Sequence, residues 1–213
     1  VSLIRFGDGE ASLILGKSIY FQKYEEQIAK QLKRIMVQYS KNTSNYILSV
    51  PLYLELADKE LELKGMKKMW TPFKILFSAY SNKKTGYLDA HIFYRDSVFI
   101  DVVVPIIKNR HVIVVTGNAD SIAIWKKTNP SFAHISYIET PKEHAFDDVQ
   151  NIKKDIDRCI DSYSEHRPVI LFSCGPAGKI LAGMYAEKGI QSLDIGKGLE
   201  VIFTTKSLEH ELV

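Results

Sequence analysis

The chain has 213 residues, 46% of them hydrophobic and 25% charged, with a formal net charge of +3 at neutral pH; the length suits one domain whose core needs no disulfide staples. Lys and Arg are spread along the sequence rather than gathered in a block, which argues against a nucleic-acid partner, and two cysteines, Cys159 and Cys174, without CxxC spacing point to a reduced, cytoplasmic protein. No apolar run reaches the roughly 18 residues of a membrane span, the richest, Val98 to Ile107, being interrupted by Asp101 and Pro105.

The chain begins at Val1 without a methionine, inside or just before a strand, and so reads either as a trimmed chain or as a domain cut from a longer protein, where it would have neighbouring domains. Ser2-Leu3-Ile4-Arg5-Phe6 reads as a buried strand, Gly7-Asp8-Gly9 as a tight turn and Glu10 as a helix start. A short helix over Ala11 to Leu15 ends at Gly16, and a longer one from Lys23 to about Tyr39 carries Ile28, Leu32, Ile35, Met36 and Tyr39 on one face. Tyr46 to Val50 predicts a second strand closed by Pro51. Helical stretches follow over Leu52 to Lys64 and Met66 to Ala79, split by Gly65; the second carries Trp70, Phe73, Phe77 and Tyr80, a core stripe or a pocket wall. Ser81 to Gly86 is a loop, Tyr87 to Arg95 is ambiguous between strand and helix, and Val98 to Lys108 is a buried helix or strand.

From His111 the pattern becomes regular. Strands are predicted at His111 to Thr116, Ile135 to Glu139, Val169 to Ser173 and Ser192 to Ile195, and helices at Ala119 to Lys127, Phe146 to Tyr163 and Ala177 to Lys188, the last capped by Gly189. This alternation predicts an α/β, single-domain Rossmann-like fold: a mostly parallel sheet with helices on both faces and ligands at the carboxyl ends of its strands. Five turns should then share one edge: Gly7 to Glu10, Gly117-Asn118, Pro141 to His144, Gly175 to Lys179, and Asp194-Ile195-Gly196.

In an extended turn, Asp8 and Glu10 can point to one side as a seat for Mn²⁺ or Mg²⁺, with positions left for a diphosphate; the bland alternative is a solvated turn with Glu10 in the first turn of a helix. Neither carboxylate is expected in the core. Gly175-Pro176-Ala177-Gly178-Lys179 opens a helix after a buried strand and offers an anion seat, but its spacing is not that of a Walker loop, and no GxGxxG follows any strand. Lys179 is either an anion ligand or a solvated helix residue. Cys174 reads as a small core residue, and the histidines show no zinc spacing.

Arg5-Phe6-Gly7-Asp8-Gly9-Glu10 resembles the opening RFGDGE of the GT-D-fold glycosyltransferases, single-domain enzymes that use nucleotide sugars. Tyr20-Phe21-Gln22, the Arg95 region, Pro141-Lys142-Glu143-His144-Ala145-Phe146 (similar to P-x-x-N-A-F, with His144 for Asn), Gly175-Pro176-Ala177 and Asp194-Ile195-Gly196 extend the resemblance over nearly the whole chain. The sequence departs from many members after Thr116, where Gly117 to Ser121 holds no Arg, and after Gly196, where Lys197-Gly198-Leu199-Glu200 follows. The resemblance implies metal-dependent transfer of a sugar from a nucleoside diphosphate to a glycan, glycolipid or glycoprotein. It implies Asp8 and Glu10 on the metal, Arg5, Gly7, Gly9, Arg95, Asn118, Gly175, Pro176, Lys179 and Gly196 around the donor, and Asp194 and His144 as candidate bases. The other readings are a non-catalytic nucleotide- or partner-binding module of a glycan-assembly protein, and a nucleotide-sugar hydrolase or phosphatase using the same carboxylates.

Overall fold

The computed structural model describes residues 1–82, 85–94, 99–108, 110–120, 123, 134–163 and 167–198. Arg95, most of the helix expected at 119–127, and residues 199 and 200 lie outside them.

Among the described residues, seven strands form one sheet: β1 (Ser2–Arg5), β2 (Tyr46–Val50), β3 (Leu88–Asp89), β4 (Val112–Thr116), β5 (Ile135–Glu139), β6 (Val169–Ser173) and β7 (Gln191–Asp194). Their order is β3-β2-β1-β7-β6-β4-β5, and every pairing is parallel. Because both faces are covered, the strands read as continuous apolar runs, yet their side chains still alternate. Ile113, Val115, Ile170 and Phe172 enter one core with Ile4 and Phe6, whereas Val112, Val114, Val169 and Leu171 enter the other with Leu3.

The larger core lies under α1 (Asp8–Ile14), α2 (Glu26–Ser40), α3 (Asp58–Leu63) and α4 (Lys67–Tyr80). The opposite core takes Val104 and Ile107 of α5 (Val104–Ile107), which continues a π-helical turn at Phe99–Val103. Back on the larger core, α6 (Val149–Asp161) contributes Ile152 and Ile156. Beside it, α7 (Gly175–Glu187) is buried along most of its length and packs against β1, β6 and β7.

Three expectations change. The stretch after Pro51 is a 3-10 turn at Leu52–Leu54 and then α3, because Ala57 N–H is capped by Glu60 Oε2 at 2.7 Å and a new helix starts there. The ambiguous segment is both things in turn: β3 adds two residues to the sheet beside β2, and a 3-10 turn follows at Ile92–Tyr94. Finally, α1 starts at Asp8, so the opening turn is shorter and its carboxylates belong to a helix.

Candidate active site

The connection after β4 runs outward to edge strand β5, whereas β6 leads through α7 inward to β7. Between β4 and β6 the chain therefore reverses direction, the place where open α/β sheets leave a crevice at their carboxyl ends. A chamber of about 400 Å³ opens there, lined by Thr116, Gly117, Asn118, Pro141, Ser173 and Gly175 among others. A second chamber of about 590 Å³ continues over the ends of β1, β3 and β7, lined by Arg5, Gly7, Asp8, Gly9, Glu10, Trp70, His91 and Gly196 among others. Phe21, Ser173 and Gly175 line both. The five predicted turns thus meet along one cleft.

Glycine geometry explains two of these turns. Gly175 has φ +60°, and an added Cβ would stand 3.0 Å from the ring of Phe21. Gly196 has φ +48°, and its Cβ would fall 1.6 Å from Arg5 Nη2, so only glycine fits.

Beneath the second chamber lies a cluster of four buried charges: Arg5, Glu10, Lys179 and Asp194. Lys179 Nζ sits 3.2 Å from Asp194 Oδ2 and 3.4 Å from Glu10 Oε1. Asp194 Oδ2 also accepts the Arg5 backbone N–H at 3.0 Å, while Arg5 Nε donates to the Asp194 carbonyl and Nη1 to the Ala90 carbonyl. Two cations thus balance two anions, and β1, β3, β7, α1 and α7 are tied together at one point. Burial works against the Lys179 ammonium, but the Asp194 and Glu10 carboxylates outweigh it and, with Arg5 opposing, its pKa is raised above the ordinary lysine value.

This geometry corrects several expectations. Glu10 is in the core, its Oε2 accepting the Gly7 N–H at 2.8 Å, because positions two apart on a helix face nearly opposite ways. Asp8 takes the outward position. It is exposed in the cleft and has no hydrogen bond or ion pair among the described residues. Lys179 is not solvated: two carboxylates hold its ammonium, while the side chain still lines the second chamber. Arg5 acts as a strut along the cleft floor. Asp194 is poorly placed as a base: only 2% exposed, it faces Lys179 and the Arg5 N–H.

His144 is not among the residues lining either chamber. It sits at φ +55°, donates its N–H to the Phe21 carbonyl at 2.8 Å and accepts the Lys23 N–H on Nδ1 at 3.1 Å. Its work is to hold the Phe21 segment over the cleft. The Asn of the similar motif suits the same part, because Asn tolerates left-handed backbone and carries an acceptor at the same branch position. Asn118 and Pro176 line the first chamber, and Gly7 and Gly9 the second. Burial, then Asp194, pushes the Cys174 thiol up to about 12, which leaves it inert.

One cleft residue that the sequence reading passed over is His91, whose Nδ1 lies 3.3 Å from Asp89 Oδ1. The only signal was an Asp two residues before a His at a strand end.

Residues 3–200 match the family described as Glycosyltransferase GT-D fold. The chain belongs to this family. Among curated proteins, the GT-D domain is 24% identical over 220 residues to glycosyltransferase GlyD of Streptococcus pneumoniae serotype 4, and 21% identical over 204 residues to the probable glycosyl transferase Gly of Streptococcus gordonii. Each match covers 92% of this chain but 24% and 29% of those proteins, so the domain spans roughly a quarter of their length. Among solved structures, a glycosyltransferase from Streptococcus sanguinis containing domain of unknown function 1792 superposes with a TM-score of 0.75 at 19% identity, over 95% of this chain and 77% of that one. A second structure, described as that domain having a distinct glycosyltransferase fold, gives 0.73 at 19% identity over 92% and 72%. These likenesses show the seven-stranded parallel architecture to be that of the family.

Proposed function

We propose that this GT-D domain transfers a sugar from a nucleoside-diphosphate donor, a UDP-sugar, to a hydroxyl of a glycan, glycolipid or glycoprotein, with Mn²⁺ or Mg²⁺ as cofactor. The observation that carries the reading is Asp8, an exposed carboxylate without a partner among the described residues, in the same cleft as the start of α7. Hard cations of this kind need only one or two protein carboxylates when phosphate oxygens and water supply the rest. The donors present fit that requirement: Asp8 is open and has no ion pair among the described residues, and Glu10 stands behind it within a buried cluster whose four charges balance one another. Asp8 would hold the cation, with Glu10, expected beside it on the metal, instead fixing the Gly7 loop and Lys179 behind it; the cation when bound neutralises charge growing on the departing diphosphate.

The protein's own contribution is positional. The amino-terminal dipole of α7 at Gly175, where the two chambers join, suits the diphosphate. The chamber at the chain reversal, with Gly117 and Asn118, suits the nucleoside, and the larger chamber beside Asp8 takes the sugar and acceptor. Phe21 closes over Gly175 between them.

A thermal-shift titration with UDP and a panel of UDP-sugars tests the reading, because a ligand that binds only the native state raises Tm. Stabilisation that requires Mn²⁺ or Mg²⁺, is abolished by EDTA and is absent in Asp8→Ala is the expected result. Equal stabilisation in EDTA would remove the metal. Metal-dependent binding with no donor turnover would favour the nucleotide-binding module, and turnover only to water the hydrolase.

A further inference from the structure

We propose that His91, oriented by Asp89, is the general base that takes the proton from the acceptor hydroxyl, beside an aromatic wall that receives a sugar. The inference rests on the transferase reading above and adds the residue that activates the acceptor.

Asp89 ends β3, and its Oδ1 accepts the His91 backbone N–H at 3.1 Å and faces His91 Nδ1 at 3.3 Å. A carboxylate facing Nδ1 favours the tautomer with the ring proton there, which puts the basic lone pair on Nε2. An imidazole held in one tautomer by a carboxylate, which also steadies the imidazolium once formed, is the arrangement that proton abstraction needs. The His91 side chain is 42% exposed and that of Asp89 19%, so the imidazole is reachable while its partner is partly shielded. The pair is fixed in place, because Arg5 Nη1 holds the intervening Ala90 carbonyl at 3.1 Å.

The surrounding wall has the chemistry of a sugar site. Trp70 lines the same chamber, is 5% exposed, and its buried indole N–H has no hydrogen-bond partner among the described residues. Tyr53 packs against both rings, 5.2 Å from Trp70 and 5.9 Å from His91. A buried donor left without a partner is costly, and a hydroxyl of a polyhydroxyl ligand is the kind of acceptor that would satisfy it.

In the reaction, Nε2 takes the hydroxyl proton as the acceptor oxygen bonds to the anomeric carbon. The bond from that carbon to the diphosphate oxygen breaks, and its electron pair leaves on the nucleoside diphosphate. The imidazolium then releases its proton to water, so donor and alcohol give glycoside, nucleoside diphosphate and one proton.

The test uses UDP-glucose, UDP-galactose and UDP-N-acetylglucosamine as donors, with methyl glucoside or water as acceptor, following UDP release. His91→Ala and His91→Gln should each lower kcat about 100-fold or more while UDP affinity by calorimetry stays within about twofold, and added imidazole should restore part of the His91→Ala rate. Asp89→Asn should lower kcat by about tenfold. A residue that only closes a turn would lower Tm, leave kcat nearly intact and show no imidazole rescue. An active wild type with His91 variants within about threefold of it overturns the assignment alone; a wild type that turns over no donor overturns the transferase reading and this assignment with it.

Discussion

Replacing Lys179 by Met removes the cation between Glu10 Oε1 and Asp194 Oδ2 while keeping most of the side-chain volume. Breaking a buried pair by deleting one partner costs about 3–5 kcal/mol, because the remaining charge is left in a poorly solvated place. Here two carboxylates lose their shared partner, although Arg5 still faces Asp194, so the deficit falls mainly on Glu10. For a domain of this size each kcal/mol shifts Tm by about 2–4 °C, which puts the loss near 6–20 °C. Equilibrium urea unfolding followed by circular dichroism measures it. Combining Lys179→Met with Glu10→Gln should be less damaging than the sum of the two single changes, since the double variant keeps the balanced Arg5 and Asp194 pair and leaves no orphan anion. The pH dependence has a fixed sign: a raised lysine pKa contributes stability in full below the ordinary value of 10.5 and loses it as pH climbs through the folded value. The advantage of wild type over Lys179→Met should therefore be full at neutral pH and shrink only in strong alkali. A Lys179→Met cost below about 1 kcal/mol, or strict additivity in the double variant, would refute the claim that these groups act as one buried unit.

Three more outcomes are expected. Asp8→Ala should change stability by no more than about 0.5 kcal/mol in EDTA, whereas Glu10→Ala, which also strips the Gly7 N–H of its acceptor, should cost several times that by urea melts. His144→Asn should fold with near wild-type stability, while His144→Val, forced into left-handed backbone without an acceptor for Lys23 N–H, should lose about 1–3 kcal/mol on the same measurement. With iodoacetamide at pH 8, the native protein should be labelled no faster than the partly exposed Cys159 allows, and Cys174, its thiol pushed up to about 12, should react only after unfolding.

The parts of the fold that local pattern controls were legible. Tyr46 to Val50 is bounded by a polar break and a proline, and the strand occupies those residues. Gly16, Gly65 and Gly189 all stop helices where they were expected to, each with positive φ. What local pattern cannot carry is strand order. Nothing near Gln191–Asp194 says that this strand inserts between β1 and β6, yet that insertion is what buries Asp194 and aims it at the Arg5 N–H. The orientation of the opening carboxylates was hidden for a related reason: with glycine at the cap, no side-chain signal marks where the helix begins, and moving the start to Asp8 turns Glu10 inward. The two-residue β3 is too short to show any period, so the register that sets Asp89 and His91 at the cleft exists only once β2 is beside it.

These long-range placements also divide the labour between the two acidic residues of the opening motif. A carboxylate that must bind a cation loaded and released with substrate has to be exposed and uncommitted, whereas one that fixes the loop must be buried and satisfied. A single residue cannot do both. On the proposed reading, Asp8 and Glu10 would meet the two demands separately, because a helix that starts between Gly7 and Asp8 sends them to opposite sides: Glu10 holds the Gly7 N–H and Lys179, and the loop so fixed presents Asp8 to the cleft. If this division is right, Glu10→Gln, which preserves an acceptor for Gly7, should weaken metal-dependent UDP binding mainly by loosening the loop, and Asp8→Asn should abolish that binding with the loop intact. Calorimetric titration of UDP with Mn²⁺ against both variants separates the two effects. Equal losses of affinity with unchanged stability would mean that both carboxylates reach the metal, and that Glu10 leaves Lys179 to do so.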